Sequence, residues 1–256
     1  MSDSVKLQKY IADAGLMSRR AAEREIEAGA VTVNGVTAHL GDRIDPETAE
    51  VAVQGKIVTP GRGTHTYIML NKPAGVVTTM KDEKEKDRRT VADLVSDVGA
   101  RVYPVGRLDM YSDGLLLMTD DGELANALSH PRGGGEKVYR VSFPRYVSDD
   151  ILDCLSRPMT ITEADGKPYK LLPCGVRLIS RDSASTVIEM TLHEGRNRQI
   201  RRMCDAVGIK ISRLTRISEG GLSLGDLRPG KWRRLTDEEI DVLKKGIHEN
   251  ALRNDA

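Results

Sequence analysis

The chain has 256 residues, enough for two modest domains or one large one, with 39 Lys and Arg against 38 Asp and Glu. The resulting net charge of +1 gives no sign of a nucleic-acid partner, so only local basic clusters can argue for one. The start is too polar for a signal peptide, no apolar run reaches membrane length, and the three scattered cysteines lack zinc or disulfide spacing. We therefore expect a cytoplasmic protein with reduced thiols and no metal site.

The first sixty residues predict a small module of two helices on a small sheet. Apolar residues at helical spacing predict a helix over residues 5–14. Ser18 is placed to cap a second helix over residues 19–28. The β-branched segment Val31–Val33 then runs into Asn34-Gly35, a pair typical of a hairpin turn.

This order of elements resembles the S4 RNA-binding module over residues 5–60. The motifs that carry the resemblance are Leu7-Gln8-Lys9-Tyr10, Ser18-Arg19-Arg20, Glu27-Ala28-Gly29 and Val31-Thr32-Val33-Asn34-Gly35. It implies that Lys9, Arg19, Arg20 and Arg24 face structured RNA, which proteins grip mainly through phosphates and 2′-hydroxyls. The alternative is a solvated helix with ordinary surface charge, because glutamates lie among these arginines. The Gly-containing residues 61–66 predict a linker.

The remainder predicts one α+β domain over residues 67–247, because strands and helices are mixed without a regular βαβ repeat. Strands are predicted at 67–70, 76–79, 115–119, 136–141 and 186–192. Helices are predicted at 90–98, 123–128, 151–155 and 196–207, and a Thr236-x-x-Glu239 capping box opens a last one. The charge run at residues 80–89 predicts a mobile surface loop.

The central candidate for chemistry is a lone acid in a glycine-bounded loop, followed by an apolar strand. Asp109 lies between Gly106 and Gly114, which permit sharp turns, and Arg107 shares its face in an extended segment. A carboxylate here can act as a nucleophile at a sugar C1′ or as a general base, and an arginine nearby keeps it ionised. The alternatives are a capping aspartate, or a glycosidase-like pair with Asp113.

A tyrosine on a predicted strand is the second candidate. Lys137 and Tyr139 are two residues apart and project from the same strand face. Tyr139 is suited to stack on a base or to exchange a proton with a carbon. Its alternative role is cross-strand packing.

A basic helix start is the third candidate. Arg198, Arg201 and Arg202 stand at i, i+3 and i+4, so they line one helix face and suit an anion opposite. Arg213 and Arg216 extend the positive field. A solvated helix is the alternative, and the scarcity of acidic partners nearby argues against it.

Together these blocks resemble the ribosomal pseudouridine synthases, in the branch of the RsuA, RluB and RluF enzymes. The resemblance rests on Asn71-Lys72-Pro73-Ala74-Gly75, Gly106-Arg107-Leu108-Asp109 with Gly114-Leu115-Leu116-Leu117, Lys137-x-Tyr139, and Glu194-Gly195-Arg196-Asn197-Arg198-Gln199-Ile200-Arg201-Arg202-Met203. It implies an enzyme that converts a uridine of ribosomal RNA, favouring 23S, to pseudouridine without cofactor or metal. The implied fold is a long mixed, mainly antiparallel sheet with flanking helices and a cleft across it.

The resemblance also implies a role for each matched residue. Asp109 falls on the essential aspartate, which attacks C1′ or enables deprotonation at C2′. Tyr139 stacks on the uracil and helps remove the C5 proton, and Arg201 pairs with the aspartate. Ile200 packs under the base, and Arg107 fills the space left when the uridine flips out. The other implied RNA contacts are Lys137, Arg196, Arg198 and Arg202.

The implied partner is ribosomal RNA or a precursor of a ribosomal particle, bound by a monomer. The main competing hypothesis is a non-catalytic S4-type RNA-binding assembly factor that kept the fold, and a glycoside-type hydrolase is a distant third. The sequence leaves open the target uridine, the chemical route and the role of a glycine loop at residues 133–135.

Overall fold

The computed structural model describes residues 4–59, 65–80, 87–129, 135–163 and 165–254. Its contacts divide the chain into two compact units, one reaching to Thr66 and including Asp120–Gly122, the other formed by the rest from Tyr67 onward. Most of the predicted linker and of the predicted 80–89 loop, and two glycines of the 133–135 loop, lie outside the described residues.

The first unit is two short helices on small sheets, as predicted. Its elements are β1 (Val5–Lys6), α1 (Leu7–Asp13), α2 (Arg19–Glu27), β2 (Val31–Val33), β3 (Val36–Thr37), β4 (Arg43–Ile44), β5 (Val51–Val53) and β6 (Lys56–Ile57). Strands β3-β2-β5-β6 form one sheet, and β1 pairs with β4. That pairing explains why α1 is shorter than predicted, since the first two residues of the predicted helix are extended.

Local capping and turn chemistry explains the accurate parts of this unit. The Ser18 hydroxyl accepts a hydrogen bond from the Ala21 backbone N–H at 3.1 Å, which fixes the start of α2. Asn34 and Gly35 have φ of +50° and +80°, the left-handed pair that a tight hairpin requires. A buried aliphatic cluster that includes Leu7, Ile11 and Ile26 closes the core between the helices and the sheet.

The second unit is built on a nine-stranded mixed sheet of order β13-β14-β10-β15-β9-β7-β17, with β8 and β16 beside β9 and β15. Its strands are β7 (Tyr67–Lys72), β8 (Tyr103–Pro104), β9 (Asp113–Thr119), β10 (Lys137–Phe143), β11 (Thr160–Thr162), β12 (Pro168–Lys170), β13 (Gly175–Arg181), β14 (Thr186–Leu192), β15 (Arg213–Glu219), β16 (Leu222–Ser223) and β17 (Trp232–Arg234). Its helices are α3 (Val91–Leu94), α4 (Gly122–Ser129), α5 (Asp149–Ser156), α6 (Gln199–Ala206) and α7 (Asp237–Asn254). The pairing of β9 with β15 is parallel and the other main pairings are antiparallel, so the α+β prediction is confirmed.

Three predicted elements are wrong in type or extent. Residues 76–79 form no strand, and Val77 makes only an isolated bridge with Thr90. The helix predicted at 90–98 ends at Leu94, because Val95 has a non-helical φ of −119° and ψ of 15°, and Val95 and Val98 are buried beyond the helix end. Helix α6 begins three residues later than predicted, because Arg198 has a left-handed φ of +53°.

The centre of the sheet depends on one glycine. Gly114 pairs with Arg216 across the parallel β9–β15 contact and has a φ of +107°. A Cβ at Gly114 would lie 2.2 Å from the Arg216 carbonyl oxygen, so a side chain there would force the two strands apart. This close approach sets the position of the loop that precedes β9.

Candidate active site

The Asp109 carboxylate lies at the edge of an open cleft and is flanked by two arginines. Its side chain is 28% exposed, and Oδ2 lies 3.9 Å from Arg201 Nε and 4.0 Å from Arg198 Nη1. These are ion-pair distances at which the carboxylate stays accessible to a ligand. The cleft is lined by Arg107, Leu108, Asp109, Ser112, Tyr139, Leu192, Glu194, Gly195, Arg196, Arg198, Gln199, Ile200 and Leu214.

Arg201 holds the Asp109 loop as well as its carboxylate. Its Nη2 donates to the Tyr111 carbonyl at 2.9 Å and lies 3.3 Å from the Ser112 hydroxyl. The side chain is 16% exposed, so little of its hydrogen bonding is left to water. Helix α6 therefore carries an arginine that fixes both the backbone and the charge of the loop.

A buried lysine supports the loop from inside the protein. Lys72, at the end of β7, is fully buried, and its Nζ donates to the carbonyls of Ser112 at 2.8 Å, Pro73 at 3.0 Å and Met110 at 3.4 Å. Burial lowers the pKa of Lys72 to about 8, although the nearby carboxylates of Asp113 and Asp109 act in the opposite direction. The sequence placed this lysine in a motif but predicted no contact for it.

Tyr139 forms the wall of the cleft with Ile200. Tyr139 is half-buried and Ile200 is 4% exposed, so the two present an apolar surface beside the carboxylate. Burial raises the pKa of the Tyr139 phenol above its usual value. An apolar wall next to a carboxylate suits a flat, partly polar ring.

Lys137 does not reach this cleft. It lines a neighbouring cavity of about 160 Å³, which Tyr139, His193, Arg216 and Glu219 also line. Its Nζ donates to the Gly135 carbonyl at 3.2 Å, and burial lowers its pKa. Lys137 and Tyr139 share a strand face, as predicted, but Lys137 serves a different cavity.

Arg196 lines the cleft, and it is held there by contacts that the sequence did not predict. Its guanidinium lies 3.7 Å from the centre of the Tyr169 ring, and Nη1 lies 3.6 Å from Glu163 Oε1. Tyr169 lies on β12, in a hairpin with β11 that has no strong alternation in its sequence. Arg202, by contrast, donates to Asn197 Oδ1 at 3.0 Å and is not among the cleft-lining residues.

Two arginines after α6 are predicted to extend the positive field of the basic helix, and only one of these two lies at the surface. Arg213 is exposed, and its Nη2 lies 2.8 Å from Asp113 Oδ2. Arg216 is 2% exposed, so it adds no surface charge. Arg216 lies two residues after Leu214 on β15, so both side chains point to the same inner face.

The predicted RNA-binding residues of the first unit lie on its helix pair. Arg19, Arg20 and Arg24 are exposed on α2. Lys9 Nζ lies 2.9 Å from Asp13 Oδ2, and Arg19 Nη2 lies 4.0 Å from Asp13 Oδ1. The charges of Lys9 and Arg19 are thus shared with an acid of α1.

The structure gives no sign of a metal site in the part of the chain that it describes. Within the described ranges, no cluster of three His, Cys, Asp or Glu side chains has the arrangement of a metal site. Cys154 is an exposed free thiol, and Cys174 and Cys204 are buried free thiols. Among the helices that the structure describes, none combines the length and apolar character needed to cross a bilayer.

Two family models match the chain. The model described as RNA pseudouridylate synthase matches residues 66–206, and the S4 domain model matches residues 5–49. The first match contains Asp109, Tyr139 and Arg201 and covers more than half of the chain.

Individual relatives match over most of their length. The chain is 39% identical to an uncharacterised RNA pseudouridine synthase of Aquifex aeolicus, over 95% of each chain. It is 38% identical to ribosomal large subunit pseudouridine synthase B of Bacillus subtilis, over 93% of this chain and 95% of the relative. The dual-specificity RNA pseudouridine synthase RluF of Escherichia coli is 36% identical, over 94% of this chain and 79% of its own.

A solved structure agrees with the fold. A crystal structure of a pseudouridylate synthase superposes with a TM-score of 0.65 and 28% identity, and it covers 94% of this chain and 100% of that one. The chain therefore belongs to the RNA pseudouridylate synthase family and carries an S4 domain.

Proposed function

We propose that this enzyme isomerises a specific uridine of ribosomal RNA to pseudouridine, with Asp109 as the group that opens the glycosidic bond. One observation carries the proposal: Asp109 stands in an open cleft beside Tyr139, within 4.0 Å of Arg198 and Arg201. The relative named ribosomal large subunit pseudouridine synthase B supports ribosomal RNA as the substrate. We propose that this RNA is the 23S RNA. We further propose that the enzyme acts as a monomer in the cytoplasm.

The reaction is an isomerisation and needs no co-reactant. Asp109 either attacks C1′ or enables loss of the C2′ proton, and the N1–C1′ bond breaks in both routes. The freed uracil rotates in the cleft that Tyr139 and Ile200 line. A C5–C1′ bond then forms as the Asp109–C1′ bond breaks in the first route, or as C2′ regains its proton in the second. The C5 proton is lost with help from Tyr139, and N1 gains a proton.

The surrounding arginines suit the extraction of a nucleotide from structured RNA. Unstacking a base costs a few kcal/mol, which contacts to phosphates offset. Arg107 is exposed at the mouth of the cleft, where it is placed to fill the gap left by the flipped uridine. Arg196 and Arg198 line the same cleft and are placed to contact phosphates. We propose that Arg202 and Lys137 contact the RNA outside the cleft.

Ribosomal RNA carrying tritium at uridine C5 tests the function. The enzyme is expected to release one tritium for each pseudouridine formed, with no free uracil, and to favour 23S over 16S RNA. Naked RNA and isolated ribosomal particles are both tested, because the substrate's assembly state is open. Binding without tritium release on either substrate would favour the assembly-factor hypothesis, and release of free uracil would indicate a hydrolase.

We propose that residues 5–60 act as an S4 RNA-binding domain, joined by a linker at 61–66 to a catalytic domain at 67–247. The matched S4 model and the exposed arginines of α2 support this assignment. In this domain Lys9, Arg19, Arg20 and Arg24 bind RNA phosphates. Asp13 orients two of these cations by its contacts with Lys9 and Arg19.

Removing one α2 arginine is expected to weaken RNA binding without slowing the chemical step. Arg20→Ala loses a phosphate contact, so the slope of log affinity against log salt should fall by about 0.7–0.9. Lys56→Ala is the matched control, since it removes an exposed cation from the sheet edge. Filter binding across a salt series measures the slopes. Equal slopes for wild type and Arg20→Ala would contradict the assignment.

A further inference from the structure

Arg216 lies between the strand that follows Asp109 and the strand that carries Tyr139. It is 2% exposed in the middle of β15, where it is the register partner of Gly114 on β9 and of Tyr139 on β10. Its Nε donates to the Leu115 carbonyl at 2.7 Å. One side chain therefore connects both strands that supply the cleft's reactive groups.

The guanidinium of Arg216 lies among polar groups that the proposed reaction does not yet use. Its Nη2 is 2.9 Å from Glu219 Oε2, and within the described residues neither of these buried atoms makes a hydrogen bond of good geometry. The two groups therefore attract each other through their charges and not through a well-oriented hydrogen bond. Tyr139, the register partner of this arginine on β10, is close enough for each side chain to affect the pKa of the other. Arg216, Glu219 and Tyr139 all line the cavity of about 160 Å³ beside the cleft.

The pairing of β10 with β15 is irregular next to Tyr139, and this irregularity affects the direction of the Tyr139 side chain. Val138 pairs with Ser218 while Tyr139 pairs with Arg216, so Ile217 is an extra residue on β15. Such bulges re-aim a neighbouring side chain and are frequent beside active sites. A buried ion pair is not needed for packing, because apolar residues of similar volume often serve as well. A role in positioning explains its presence at the bulge.

We infer that Arg216 is a positioning residue, which fixes the Tyr139 side chain relative to Asp109 because it binds β9 through the Leu115 carbonyl and lies opposite Tyr139 on β10. This inference rests on the proposed function. The positive guanidinium also favours negative charge on the phenol oxygen, whereas the Glu219 carboxylate opposes it. The two neighbours therefore act on Tyr139 in opposite directions.

Titration of the phenol at position 139 tests this arrangement directly. Tyr139→3,5-difluorotyrosine gives a ¹⁹F signal whose shift follows ionisation of the phenol. In that background Arg216→Gln is expected to raise the phenol pKa, and Glu219→Gln to lower it. If Arg216→Gln does not fold, Arg216→Lys, which keeps the charge but loses the guanidinium, replaces it in the activity measurement. No shift, or shifts in the same direction, would overturn the inference.

Activity gives the second readout. Arg216→Gln is expected to lower kcat on ribosomal RNA about a hundredfold with little change in KM, because a misplaced reactive group has effects of that order. In a Tyr139→Phe background the same substitution should cause no further loss. A full additional loss there would overturn the inference. The titration needs no turnover, so an inactive wild type would refute the proposed function and leave the test of Arg216 intact.

Discussion

Asp109→Asn is expected to lower pseudouridine formation by about 10⁴-fold or more, since the proposed chemistry depends on this carboxylate. The amide has nearly the same shape but is neither nucleophilic nor basic. It also loses the charge that faces Arg198 and Arg201 at 4.0 and 3.9 Å. Single-turnover release of tritium from uridine C5 measures the loss. RNA affinity should change little, because most binding energy comes from phosphates.

The control for this prediction is a carboxylate on the helix that carries Arg201. Asp205→Asn neutralises an exposed acid of α6, four residues beyond Arg201, and should retain most activity. Thermal unfolding of both variants should match that of wild type, because each side chain is partly or fully exposed. Retention of more than about a tenth of the activity by Asp109→Asn would remove this residue from the proposed mechanism.

Local signals predicted the parts of the site that depend on local chemistry. Gly106 and Gly114 indicated a loop with unusual backbone angles, and both have positive φ. The apolar run after the loop indicated a buried strand, which β9 is. These features follow from a few neighbouring residues, so an isolated sequence is enough to predict them.

Sheet order decides the features that the sequence did not reveal. Arg216 faces Tyr139 and Leu115 only because β15 lies between β10 and β9, strands that precede it by many residues. The position of Arg216 two residues after the apolar Leu214 was the available signal for its burial. A charged arginine side chain, however, is normally expected at the surface. Tyr169 meets Arg196 through a short hairpin whose sequence has no strong period. Such contacts depend on long-range pairing.

The contacts of Lys72 also depend on long-range pairing. Removal of this lysine is expected to destabilise the fold and to slow the reaction. Lys72→Met leaves the buried or partly buried carbonyls of Pro73, Met110 and Ser112 without their donor. Net destabilisation of about 2–4 kcal/mol follows, because an unpaired buried acceptor costs about 1–3 kcal/mol and the relief of a buried charge returns part of it. Two of the carbonyls flank Asp109, so kcat should fall even at temperatures where the variant is folded.

The pH dependence separates Lys72 from an ordinary packing residue. Because its pKa is about 8 in the folded protein and 10.5 for an unperturbed lysine, the unfolded state binds more protons between these values. Wild-type stability therefore gains a contribution as pH rises from about 8 towards 10.5, and Lys72→Met lacks it, so the stability gap between them should widen. Urea unfolding at pH 7 and pH 9.5 measures the gap, with Lys245→Met as a control on an exposed lysine of α7. A gap that is constant over this range would show that Lys72 keeps its charge when buried, held by Asp113 and Asp109 more strongly than burial opposes it.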